Sequence, residues 1–129
     1  MIRPQYHFRR VGGRVHIWDV ARLLRLAERA PVTDVALSAI PEIDAPYWFD
    51  TPPGVPTCRA VMAHAAQAEA ADLAFPILRC TQGRMIDGMH RVMKALHLGH
   101  ASIIARHIDL PPPDHVDVAA EDLPYQPAL

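Results

Sequence analysis

Phe75-Pro76-Ile77-Leu78-Arg79-Cys80, Gln82-Gly83, Arg84-Met85-Ile86 and Asp87-Gly88-Met89-His90-Arg91 are the residues whose reading decides the fold. The apolar run ending at Cys80 and the run at Arg84 to Ile86 flank a Gln-Gly turn signal, which predicts two strands meeting in a hairpin. The second run stops at Asp87, a good helix N-cap, and Gly88 allows close backbone approach. From Met89 the apolar residues Met89, Val92, Met93, Ala95 and Leu96 follow helical spacing as far as Gly99, and Ser102-Ile103-Ile104-Ala105 reads as the next strand. A helix that starts where a strand ends points free N–H groups and a partial positive charge at one spot. With His90 and Arg91 beside it, this elbow has the outline of an anion site. The plainer reading makes Arg91 a solvated first-turn residue.

Pro76-Ile77-Leu78, the turn at Gly83, Ile86 to Arg91, Ala95, Leu98-Gly99 and Ile103-Ile104-Ala105 together resemble the ParB/sulfiredoxin-like family, over about a quarter of the chain. In that family, members resembling the free serine kinases carry Asp-Gly-x-x-Arg at this elbow, partition ParB domains carry Gly-Glu-Arg-Arg, and sulfiredoxins carry Gly-Cys-His-Arg; all place nucleotide phosphates there. This chain matches the first version at Asp87, Gly88 and Arg91. It lacks the Glu-Arg-Arg run and has Met89 where a sulfiredoxin has its reactive cysteine, which argues against sulfiredoxin chemistry. The resemblance implies an α/β (α+β) fold, a small mixed sheet flanked by helices, with Gly88, Met89, His90 and Arg91 holding phosphates.

At 129 residues, half of them apolar, the chain has material for one core and not for two ordinary domains. The 13 prolines concentrate at Pro46 to Pro56 and Pro111 to Pro127, which predicts an extended loop and tail there. The expected organisation is one domain over residues 1–110 and an extended, Pro-rich, acidic tail over 111–129. Seven arginines but only Asp19 and Glu28 fall in the first 29 residues, whereas five acids and no Lys or Arg follow Arg106. With a net charge of −1, DNA binding is not favoured, and a solvated surface or a pairing of the two ends, within the chain or across a homodimer, explains the asymmetry better. Cys58 and Cys80 lack metal-site spacing and follow no signal peptide, so reduced thiols in a cytoplasmic protein are expected. No run approaches the roughly 20 apolar residues of a membrane span.

Gln5 to Val11 and Arg14 to Trp18 alternate about Gly12-Gly13 and predict an N-terminal β-hairpin. Asp19 then caps a helix through about Ala30 with Val20, Leu23, Leu24, Leu26 and Ala27 as its buried stripe and Arg22, Arg25 and Arg29 outward. Asp34 to Ile40 reads as a strand running into a second acidic elbow at Pro41-Glu42-Ile43-Asp44. Tyr47-Trp48-Phe49, between prolines, is either a clamp over a planar ligand or a loop pinned to the core, the pin being favoured. Thr57 caps an Ala-rich helix to about Ala71 whose Arg59 and His64 are either surface groups or contacts to a substrate at the elbow. His90 and His97 lie about 10 Å apart along one helix, too far to share an ion unaided, so no structural metal is expected.

The expected function is binding of a nucleotide or another phosphorylated small molecule at Asp87 to Arg91. Two classes stay open. One is a phosphotransferase or nucleotide hydrolase in which Glu42 is the base, Asp87 holds the turn or a magnesium ion, and ATP, ADP or CTP arrives with Mg2+. The other is a nucleotide-responsive ParB-like module acting with DNA or a protein partner, although no helix-turn-helix segment follows the elbow.

Overall fold

The computed structural model describes residues 5–50 and 54–124. The remainder of the Pro46–Pro56 insert and the end of the predicted tail, residues 51–53 and 125–129, lie outside the described residues. The hairpin forms as its glycines dictate: β1 (Tyr6–Val11) and β2 (Arg14–Asp19) pair antiparallel about Gly12 and Gly13, which both take positive φ, 57° and 80°. That is the primed turn whose twist suits flanking strands. Asp19 caps α1 (Val20–Ala27) by accepting from the Ala21 N–H at 2.9 Å. The helix ends one turn short of Ala30, and only Val20, Leu23 and Ala27 of its expected stripe are buried; Leu24 and Leu26 are exposed.

A second sheet holds the core. It comprises β3 (Thr33–Ala36), β4 (Ile77–Cys80), β5 (Met85–Asp87) and β6 (Ser102–Ile108) in the order β3-β6-β4-β5, with β4 and β6 parallel and the two outer pairs antiparallel. All four residues of β4, Arg79 among them, are buried because both faces of this central strand are covered. On one face Ile77, Met85, Ile103 and Ala105 meet α3 (Met89–His97) through Met89, Val92 and Ala95. On the other, Leu78, Cys80, Ile86 and Ile108 meet Trp18, Leu23 and Ala27. The helix α2 (Cys58–Ala70), capped by Thr57 at the Ala60 N–H, packs outside α3 and buries none of its residues fully. Helices therefore flank a small mixed sheet, an α+β arrangement.

One expectation changes. The strand predicted to reach Ile40 stops at Ala36, and Leu37–Ala39 and Pro41–Asp44 form two single 3-10 turns. The strands β3 and β5 occupy opposite edges of the sheet. The segment after β3 reaches β5 only by crossing on the α3 side, with Leu37 and Ile40 in that core. The acidic segment after Leu110 is extended and docked: His115–Val116 form β7, which pairs with β2. There Asp117 pairs with Arg14 and Asp114 with Arg22, and the Trp18 indole N–H donates to the Pro111 carbonyl at 2.7 Å. The opposite charges of the two ends thus meet within one chain. No helix among the described residues is long and apolar enough to cross a membrane.

Candidate functional site

The elbow after β5 is built around Gly88, which takes φ +108° and serves as the N-cap of α3 without any side-chain cap, in place of the expected Asp87. A Cβ there would lie 2.9 Å from Ile77 Cγ2 and 3.1 Å from an Arg91 guanidinium nitrogen, so the position has neither the space nor the backbone angle for another residue. Asp87 points its carboxylate at the Arg91 guanidinium, 2.9 Å away. The other Arg91 nitrogen donates to the carbonyls of Pro76 at 2.6 Å and Phe75 at 3.0 Å. Arg91 therefore ties the start of β4 to the elbow. It is neither a free cation aimed at solvent nor an idle first-turn residue.

In front of the helix start is a cavity of about 660 Å³, whose wall includes residues Asp87 to Arg91 together with Tyr47 and Trp48. Burial, followed by the carboxylates of Glu42, Asp87 and Asp50, pushes the Tyr47 phenol above its ordinary range. The phenol thus feels both acidic elbows at once. Glu42, the expected base, lines neither this cavity nor the elbow: its Oε2 accepts from the Met85 N–H at 2.8 Å, at the opposite end of β5 from Asp87. Its Oε1 is buried with no hydrogen-bond partner. Arg79, also buried, completes the anchoring of the crossing segment by donating to the Ala39 carbonyl at 3.2 Å and the Gly83 carbonyl at 2.6 Å.

Of the two expected substrate contacts, the structure brings only one to the elbow. His64 Nδ1 lies 2.9 Å from His90 Nε2, whereas Arg59 is exposed on α2 and lines neither cavity. The signal for His64 was present in the sequence: Ala60, His64, Ala68 and Ala71 are the half-buried residues of α2 and its end, at helical spacing, and His64 is the sole non-alanine among them. Trp48 was anticipated as a pin, and it does pack on the core; it also stacks over both imidazoles, at 4.0 Å and 9° to His64 and 4.7 Å and 19° to His90. Burial and the neighbouring His64 lower the His90 pKa, and the Asp87 carboxylate opposes them.

Sequence reading missed a second polar cluster, on the opposite sheet face. Arg9, expected in a solvated basic stretch, is buried; its Nε donates to His7 Nε2 at 2.8 Å and its Nη1 contacts Cys80 Sγ at 3.5 Å. Burial works to raise the Cys80 thiol, but hydrogen bonds from the Arg84 backbone, the Arg9 side chain and the Gln82 backbone outweigh it and leave the pKa lowered. Both cysteines are free. Among the described residues no three His, Cys, Asp or Glu side chains are grouped to hold a metal ion. Compared with known proteins, the chain finds no match among family models, curated proteins or solved structures.

Proposed function

We propose that the chain binds a nucleotide or another phosphorylated small molecule in the cavity before α3, the role that the resemblance to ParB/sulfiredoxin-like proteins implies. The observation that carries this reading is the start of α3 on Gly88, without a side-chain cap, at the wall of a cavity of about 660 Å³. An anion supplied by a ligand suits the N–H groups and partial positive charge of such a helix start. The Asp87–Arg91 pair fits the same reading, because the guanidinium neutralises a carboxylate that would otherwise repel phosphate. Arg91 then acts as a positioning residue, and the backbone of Gly88, Met89 and His90 makes the contact. Magnesium, in this reading, arrives on the phosphates of the nucleotide.

A phosphotransferase or hydrolase activity is a second reading, favoured by Tyr47, whose phenol responds to both Glu42 and Asp87. It assigns Glu42 the base role, for which the carboxylate must release the Met85 N–H or act through Oε1. The regulatory ParB-like alternative needs the binding alone. A thermal-shift screen with inorganic phosphate and nucleoside mono-, di- and triphosphates, with and without magnesium, tests the common core of both. A ligand at a hundredfold excess over its dissociation constant stabilises by about 2.7 kcal/mol, a plainly measurable rise in Tm. No shift with any of them removes the reading; a shift accompanied by turnover that Glu42→Gln abolishes selects the enzyme.

A further inference from the structure

The two imidazoles are joined head-on. Their ring centres are 5.2 Å apart and their planes differ by 21°, so with Nδ1 and Nε2 only 2.9 Å apart the rings lie almost in one plane, at the distance of a hydrogen bond along the line between them. The Trp48 indole covers both rings, and Phe49 meets His64 edge-on at 5.7 Å. His90 lines the cavity before α3. His64 lines a second cavity, of about 640 Å³, whose walls include Phe49, Val61, Ala65, Met93 and Leu98, and Trp48 belongs to both walls. His90 Nδ1 and His64 Nε2 have no hydrogen-bond partner among the described residues, so each ring keeps one nitrogen open to a further contact.

We propose that His64 and His90 form a proton relay between the two cavities, with His90 as the acid–base group for a ligand held before α3. The inference rests on that cavity holding the ligand. The proton count closes with solvent water in the second cavity as the final acceptor. In one state His90 carries its proton on Nε2 and donates it to His64 Nδ1, leaving His90 Nδ1 bare and His64 protonated on Nε2. A proton taken from the ligand by His90 Nδ1 makes an imidazolium; the bridging proton moves to His64 Nδ1; and His64 releases its Nε2 proton into the second cavity. Both rings have then changed tautomer together, one proton has crossed, and the pair is neutral again. The transient cation lies against the face of Trp48, an arrangement that stabilises it. Besides the two histidines, the ionisable groups sharing the walls are Glu28, Tyr47, Asp72, Asp87, Arg91 and Arg106 on one side and Glu69, Lys94 and His97 on the other. Of these, Asp87 favours a positive charge on His90.

The test is a nitrogen-15 NMR titration of the intact chain. In the ligand-free protein the two rings are expected to hold the same tautomer and to titrate in two macroscopic steps separated by more than about one pH unit, as interacting sites do. His64→Gln, a change at a half-buried helix position, should collapse the His90 curve to a single step. Adding inorganic phosphate should move the ring nitrogen signals of His64 in the wild type, although His64 faces the other cavity, and leave them unmoved in His90→Gln. Opposite tautomers, independent one-step curves in the wild type, or a phosphate response confined to His90 would each overturn the relay. Phosphate that changes neither ring nor Tm, with the coupling in the free protein intact, would instead overturn the ligand reading on which the relay's purpose depends.

Discussion

Helices α1 and α3 lie on opposite faces of the same sheet and follow the same kind of strand end, yet one is closed and the other open. The start of α1 is capped by Asp19, and its end is held by the Arg106 guanidinium, which donates to the carbonyls of Ala27 and Glu28. The start of α3 has glycine where a capping side chain would stand, and the arginine beside it is turned back onto its own chain. Helix ends leave backbone groups unmatched in every protein, and what differs is who matches them. A side chain that does so makes the end structural. An end left to a cavity is available to a ligand, and Gly88 brings no capping side chain to it.

Breaking this difference should have its largest effect at Gly88 itself. Gly88→Ala combines a left-handed backbone with a contact at 2.9 Å to Ile77, and we expect a loss of about 3–4 kcal/mol in a urea unfolding series. A loss below about 1 kcal/mol would mean that the elbow relaxes easily and that the glycine is not required there.

The closed face should show its own vulnerability as a pH effect. Burial, then Arg9 and Arg84, lower His7 from 6.5 to about 4, and the Arg9 Nε–H needs a bare His7 Nε2 to donate to. Because the folded pKa lies below the unfolded one, the unfolded chain binds more protons across this interval. The stabilisation is therefore fully present above pH 6.5 and is lost as pH falls toward 4, by at most about 3 kcal/mol. His7→Gln should flatten the stability profile between those pH values, and an unchanged profile would remove His7 as its source.

On the open face, Arg91→Ala removes three hydrogen bonds and leaves Asp87 without its cation. It should cost about 2 kcal/mol as well as weaken phosphate binding. Arg91→Lys, which cannot reproduce the fork, should recover only part of either. Normal stability together with lost binding would show Arg91 contacting the ligand directly. Asp19→Ala, the matching change on α1, should cost about 1 kcal/mol through the lost cap and leave ligand binding untouched. A binding defect in that variant would blur the contrast between the two helix starts.

By itself the sequence determined the elements whose causes are local. Gly12-Gly13 supplies the φ values of the first hairpin, Asp19 and Thr57 cap their helices within three residues, and the period from Met89 marks the buried face of α3. The elbow was legible for the same reason, since Gly88, His90 and Arg91 are adjacent in the chain. Its internal wiring was not. Whether Arg91 faces a ligand or the Pro76 carbonyl depends on where β4 begins, 15 residues away. The tertiary structure alone decided that the segment after β3 crosses to the far edge, so that Glu42 meets Met85 across 43 residues. It also decided that the acidic end lies against Arg14 and Arg22, and that His64 and His90, on different helices, meet under Trp48. Short-range conformational preference fixes an element. Which polar group is left without a partner is settled only when elements distant in sequence pack against one another and exclude water.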